Sequence, residues 1–424
     1  MKRNNIIKGL LYLGVVSFSI GCTNLDEKIL DGVSNETSGG SAINTAATLV
    51  SAYEGLRDFN GQGGVYALNE MSTDAMVGPT RGGDWDDNGV WRQIHTQTWA
   101  PDHGEVKNAW NSLLSNVYNC NLVIENGGTA SQVVEARFLR AWYYYNVVDL
   151  FGQAPYRPAG SALTDDPKVW SRAEATDFII SELEAILNSL PNRVANQAFI
   201  ANKDAARFLL AKIYLNKAVF DSDTHTGFNA NNVANMNEVI KYVDQISAAG
   251  KTSLAPDYWD NFKPANHTSA EVIFTSKNIN GVEMGGIRTR WYMGAHYNQT
   301  PGGWNGFSVL QEYYNKFDPA DRRIKNNDPA IVASFGSPLG MRIGLQYDKG
   351  GVTPLTTRGQ NGSLPLDFQS DLSGLPADGK IVSDNWLERW GIRPQKYIPD
   401  VSNMDKPEND YVLFRYADAL LMKA

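Results

Sequence analysis

The hydrophobic pattern is densest in residues 135–156, EARFLRAWYYYNVVDLFGQAPY. Ala136, Leu139, Tyr143, Val147 and Leu150 recur at steps of three and four, and Phe138, Trp142 and Tyr145 widen the apolar stripe well beyond one row. That pattern predicts a helix packed on two sides. Gly152 stands where a left-handed C-cap is needed and Pro155 cannot continue a helix, so the chain turns out after Phe151. Seventy residues on, the lettering returns. AARFLLAKIYLN, residues 205–216, matches at Ala136/Ala206, Arg137/Arg207, Phe138/Phe208, Leu139/Leu209, Ala141/Ala211, Tyr144/Tyr214 and Asn146/Asn216. The spacing is about two periods of roughly 34 residues, the tetratricopeptide length. A third related start is YVLFRYADALLMKA, residues 411–424.

Helical periodicity also marks residues 42–59, 65–76, 106–125, 171–190 and 233–248, separated by short loops. The expected fold is mainly α, a tetratricopeptide-like helical-repeat scaffold with long irregular loops. After Gly250 the periodicity fades, and Gly, Asn, Pro, Trp and Tyr accumulate to about Gly391. Residues 271–277, EVIFTSK, read as an isolated strand, and residues 308–317 as a helix. Irregular segments of this length in a compact protein are usually functional surface. The chain stops at Ala424 inside an expected helix, so the sequence reads as lacking its C-terminal end. Scaffold is expected at about 41–250 and 405–424 and a loop-rich binding region at about 251–404, together one domain, 41–424.

Composition narrows the function. With 424 residues, 42% hydrophobic and 20% charged, the chain suits a large core and is too balanced for disorder. A net charge of −8 and a pI near 5.3 provide no footprint for nucleic acid. The unusual content is aromatic: many of the 11 Trp lie in Gly-, Asn- and Asp-rich stretches. An indole, with a large apolar face and one N–H donor, suits a half-wet contact surface there.

At the N-terminus, Lys2, Arg3 and Lys8 precede an apolar run from Gly9 to Ile20, laid out like a secretory signal and too short to span a bilayer. It ends Ser19-Ile20-Gly21-Cys22, which resembles a lipoprotein cleavage box with Ser19 in place of the usual Leu. Residues 1–21 are thus expected to be removed, Cys22 to be lipidated and residues 22–40 to form a polar tether. Cys120 is then left without an intrachain partner.

Together, the box at Cys22, EARFLRA through GQAP (135–155), the repeat at 205–216, Asp318-Pro-Ala-Asp-Arg-Arg and FRYADALLM (414–422) resemble the SusD/RagB family of outer-membrane glycan-binding lipoproteins of Bacteroidetes. The resemblance spans nearly the whole chain. It implies a tetratricopeptide-like scaffold with ligand-binding loops, in a non-catalytic binder that delivers oligosaccharides to a SusC-like TonB-dependent transporter. It also implies attachment to the cell outer membrane through the lipid anchor, facing the exterior.

A sugar ring has an apolar C–H face and a belt of hydroxyls, so binding it takes flat aromatic faces with rigid donors and acceptors at their edges. Trp85, in VGPTRGGDWDDNG (77–89), and Trp291 and Trp304, in GGIRTRWYMGAHYNQTPGGWNG (285–306), are the expected platform. Arg81, Asp84, Asn88, Tyr292, Tyr297 and Asn305 are candidates for its polar rim. Asp84-x-Asp86-x-Asn88-Gly89 opens like an EF-hand loop, but position twelve is His95 instead of Glu, and no metal or other cofactor is expected. Two rival classes remain: a glycoside hydrolase using Asp84 and Asp87 or Glu283 and Asp318 as its carboxylate pair, and a scaffold that binds only protein through its repeats.

Overall fold

The computed structural model describes residues 43–81, 84–158, 161–162, 164–222, 232–282, 286–358, 363–373 and 385–424, which belong, from Asn44 onward, to one compact unit, Asn44–Ala424. The expected signal, Cys22, the tether, Gly82, Gly83 and Glu283 lie outside the described residues.

The principal helices are α1 Thr45–Glu54, α2 Gly64–Met71, α3 Val90–His95, α4 Gly104–Glu125, α5 Ala130–Phe151, α6 Arg172–Ile186, α7 Lys203–Phe220, α8 Val233–Ala249 and α9 Tyr416–Lys423. Local chemistry sets their ends. Thr129 with Gln132, and Ser171 with Glu174, form capping boxes that satisfy the first free N–H groups of α5 and α6. Gly152, at φ 72°, terminates α5 in the left-handed conformation that its missing Cβ allows.

The long helices stack in sequence order: α4 on α5, α5 on α6, α6 on α7, α7 on α8. α1 closes one end and α9 returns onto α7 and α8. The lettered repeat is structural. Ala136 and Ala206, Phe138 and Phe208, Leu139 and Leu209, and Ala141 and Ala211 are all fully buried. Asn146 and Asn216 each donate to the carbonyl four residues back, at 2.8 and 2.9 Å. The arginines diverge: Arg207 pairs locally with Asp204 at 2.9 Å, whereas Arg137 crosses from α5 to Glu182 of α6 at 2.7 Å. Arg140 adds a second contact to Glu182 and donates to Asn121 of α4 at 2.8 Å, tying three helices together.

Several boundaries differ from expectation. Helix α2 ends at Met71, because Met76–Val77 becomes a strand paired with Ser308–Val309. That pairing also removes the start of the helix expected at 308–317, leaving one helical turn, Gln311–Tyr314. Tyr411–Arg415 is a strand, antiparallel to Val272–Ser276, and helix begins only at Tyr416. The run at 271–277 is therefore paired and not isolated. Tyr, Val, Leu and Phe favour a pleated half-buried surface, and an available partner strand decides the conformation. On this two-stranded sheet Phe274 meets Phe138 edge-on at 5.1 Å and Phe414 stacks on Phe208 at 4.4 Å. The other sheets of the region after Gly250 have two or three short strands.

Burial raises the Glu182 carboxyl pKa, but bonds from Arg137 and charge from Arg140 outweigh it and hold it below its usual value. Removing one partner of such a cluster leaves buried guanidinium uncompensated, so Glu182→Gln should lower unfolding free energy by about 3 kcal/mol at pH 7 in urea titrations. A carboxyl depressed in the folded state stabilises above its unfolded pKa, about 4.3, and loses that contribution as pH falls through the folded value. The gap between wild type and variant should therefore narrow below about pH 4.

Candidate functional site

The two Trp-bearing loops meet because one buried cation holds them. Arg81 is 3% exposed. Its Nη1 donates to the carbonyls of Asn305 and Gly306, both at 2.6 Å, and its Nη2 to Ser308 Oγ at 2.7 Å and the Trp390 carbonyl at 2.8 Å. Burial pushes the guanidinium pKa down to about 9, still above neutrality, so Arg81 remains a cation at pH 7. Arg81 is thus not on the polar rim; its Nη donors are used inside the protein, where backbone carbonyls need them.

Close packing follows. Trp85 Nε1 donates to the Trp304 carbonyl at 2.7 Å. A Cβ on Gly306 would stand 2.4 Å from the Trp85 ring, so only glycine lets the backbone pass there. Trp85, Asp87, Asn88 and Asn305 all sit at positive φ, between 39° and 59°. Non-glycine residues enter that region at a cost, and such outliers gather where the surroundings enforce a particular surface.

Three rings form an angled line. Trp304 lies 6.5 Å from Trp85 and 5.5 Å from Tyr292, with interplanar angles of 46° and 48°, and all three are half-buried. Behind them, Phe307 and Trp91 pack on Trp85 at 5.0 and 5.5 Å. A polar border adjoins. The Tyr297 hydroxyl donates to Asp84 Oδ2, which also accepts from Arg358 Nη2 at 2.7 Å, and the Arg358 guanidinium lies 3.4 Å above the Tyr297 ring. Burial and then the Asp84 carboxylate raise the Tyr297 pKa, so the phenol stays a donor.

Arg358 is positioned in turn by Glu388, which accepts from its Nε at 2.8 Å and its backbone N–H at 2.9 Å. On the other side of Glu388 is His296, fully buried, with Nε2 2.7 Å from Glu388 Oε2. The Asn298 backbone N–H donates to His296 Nδ1 at 3.1 Å, so Nδ1 is bare and Nε2 carries the proton. Burial lowers the His296 pKa and keeps the ring neutral. For Glu388, burial acts upward, but the bonds from His296 and Arg358 prevail and hold its pKa below the usual value.

Two further expectations are corrected. Trp291 is fully buried with Phe262, Ile287 and Tyr397, and a ring with no exposed face cannot stack on a sugar. Asn305 is fully buried as well and cannot reach a ligand at the rim. Asn88 is exposed on its loop, but does not belong to the hydrogen-bonded border of Tyr297, Asp84 and Arg358. Sequence reasoning does not find Arg358. It stands in a Thr-, Gly- and Asn-rich loop like those of the Trp residues, but 274 positions from Asp84, and no local pattern joins them.

The EF-hand-like carboxylates are turned to separate partners. Asp84 faces Tyr297 and Arg358, Asp86 accepts from Arg92 at 3.0 Å, and Asp87 accepts from the Trp91 indole at 2.6 Å. Among the described residues, no group of three or more His, Cys, Asp or Glu side chains is placed to hold a metal ion.

Comparison with known proteins bears on this geometry. The SusD-like family model described as "Starch-binding associating with outer membrane" matches residues 28–215. The starch-binding protein SusD of Bacteroides thetaiotaomicron is 25% identical over 402 residues, spanning 86% of this chain and 68% of that protein. Among solved structures, surface glycan-binding protein A from Bacteroides uniformis superposes with a TM-score of 0.62 at 16% identity, covering 89% of this chain and 74% of that one. Surface glycan-binding protein A from Bacteroides thetaiotaomicron, in complex with laminarihexaose, does so with a TM-score of 0.57 at 17% identity, covering 89% and 77%. The chain is thus similar in sequence to SusD-like proteins over residues 28–215 and to the starch-binding relative over most of its length, and it shares the fold of solved SusD-like structures over nearly nine-tenths of its length.

Proposed function

We propose that this protein binds oligosaccharide on the face formed by Trp85, Trp304 and Tyr292 and passes it to a SusC-like TonB-dependent transporter, held on the outer face of the outer membrane by a lipid on Cys22. The observation that carries the reading is the angled line of half-buried rings beside the Tyr297–Asp84–Arg358 border. Flat rings meet the C–H faces of sugars, and the border offers a carboxylate and a guanidinium to their hydroxyls. Ring contacts worth roughly 0.5–1.5 kcal/mol each beyond area burial correspond to micromolar to millimolar affinity, weak enough for hand-over. The starch-binding relative and the laminarihexaose complex of a structural neighbour support a glucan-like ligand.

The reading is of a binder without catalysis. Hydrolysis needs one carboxylic acid and one carboxylate free to act on the glycosidic bond. Asp84 accepts through Oδ2 from Tyr297 and Arg358, whereas Asp87 is turned away to the Trp91 indole, so the two do not face one bond as a pair, and Asp318 accepts from the Ala320 N–H at 2.8 Å.

Affinity electrophoresis of the full chain in detergent, through gels containing laminarin, starch or other polysaccharides, tests this directly. Retardation by one glycan without new reducing ends is the expected result; released sugar would establish hydrolysis instead. Trp304→Ala should weaken binding about tenfold, equivalent to about 1.4 kcal/mol, and Arg358→Ala severalfold by loosening Tyr297 and Asp84. Unchanged retardation of both variants would remove the ligand from this face. Trp291→Ala, by contrast, deletes a core side chain and should lower unfolding free energy in urea titrations by roughly 3–5 kcal/mol.

A further inference from the structure

Away from the ring face, the chain forms a half-open cavity of about 350 Å³ between α2, the turn at Tyr258, the strand Arg393–Gln395 and the strand Tyr411–Arg415. That volume lies within the range of small-molecule sites. Neither Trp85, Trp304, Tyr297 nor Arg358 lines it. Its charge is lopsided. Among the described residues, Arg290, Arg323, Lys396 and Arg415 face it against one lining carboxylate, Glu70. Arg323 is held by Asp321 and Arg415 by Glu271, at 2.5 and 2.6 Å. Arg290 and Lys396 are thus set against Glu70 alone, an excess of one positive charge.

Several donors on these groups are unused. Arg290 is 3% exposed and stacked 3.4 Å over the Tyr66 ring; Nη2 donates to Gly61 O at 2.5 Å and Thr289 Oγ1 at 3.2 Å, but Nε and Nη1 have no acceptor. Gln395, 1% exposed, accepts from Arg342 at 2.7 Å through Oε1 and leaves Nε2 without a partner. Buried N–H groups left unpaired are costly, and here they belong to two residues that line the same cavity. Lys396 lines the cavity as an exposed side chain, and its Nζ rests 4.7 Å from the Phe262 ring centre. Around these cations, Tyr66, Tyr258, Tyr313, Tyr397 and Tyr411 supply ring faces and hydroxyls.

We propose that this cavity is a second binding site, for a small carboxylate-bearing sugar of the hexuronate class. The carboxylate meets Arg290 and Lys396 and cancels the single excess charge. The sugar ring lies among the tyrosines, whose faces suit its C–H groups and whose hydroxyls suit its own. A neutral sugar offers these cations no counter-charge, and a bare anion would leave the rings unused.

Calorimetric titration of the full chain with D-glucuronate, D-glucose and acetate tests the assignment. Saturable glucuronate binding is expected, with glucose and acetate each about tenfold weaker or worse, because one lacks the charge and the other the ring. Lys396→Gln, a change at an accessible side chain, should weaken glucuronate about tenfold, the effect of losing one charge-assisted contact. Glu70→Gln removes the opposing carboxylate and should tighten it severalfold. Trp304→Ala should leave it unchanged, so failure here and failure of the glycan face are separable. Absence of saturable binding, equal binding of glucose or acetate, or indifference to both Lys396→Gln and Glu70→Gln would overturn the proposal.

Discussion

The scaffold and the binding region are joined through four phenylalanines. Phe138 of α5 and Phe208 of α7 occupy equivalent repeat positions, and they close on Phe274 and Phe414 from two paired strands far apart in sequence. Trp142 meets Phe414 edge-on at 5.0 Å and extends the contact. Residues 277–410 are therefore one long excursion that leaves the scaffold and returns at adjacent strands. The Arg415–Glu271 ion pair closes its base. Closing so long a loop is entropically unfavourable, and burial of large aromatic area at the closure offsets it.

The excursion is tied down by buried charge. Arg81 satisfies carbonyls from residues 305, 306 and 390, and Arg393 lies beside it with Nη2 donating to the Glu388 carbonyl at 2.6 Å. Guanidinium groups used in this way act as rigid multi-donor ties, suited to irregular backbone that no sheet ladder completes. The half-buried rings they support are fixed before a ligand arrives, which reduces the ordering cost of binding. Neutral His296 and the Glu388 carboxylate serve the same purpose one step further back, by orienting Arg358.

The helical scaffold was largely legible. A two-sided apolar stripe with a Gly stop, repeated seventy residues later, specifies where helices lie and which faces they bury, because the 3.6-residue period is a local property. The boundaries that moved, at 71–77, 308–317 and 411–415, are those where a distant strand competed for the backbone. Strand pairing depends on a partner that local pattern does not name.

The proposed ligand face was legible only in part. Residue type and loop composition single out Trp85, Trp304, Tyr292, Tyr297 and Asp84 as surface chemistry, because aromatic side chains among Gly and Asn have no periodic core to join. The same reasoning singled out Trp291, Arg81 and Asn305, which the fold buries. The sequence by itself determined the helical repeat and the aromatic loops. Only the tertiary structure decided which rings stay half-exposed, that Arg358 joins Asp84 across 274 positions, and that four cations line one cavity. Exposure and charge compensation are set by neighbours in space, and in irregular loops those neighbours follow no sequence period.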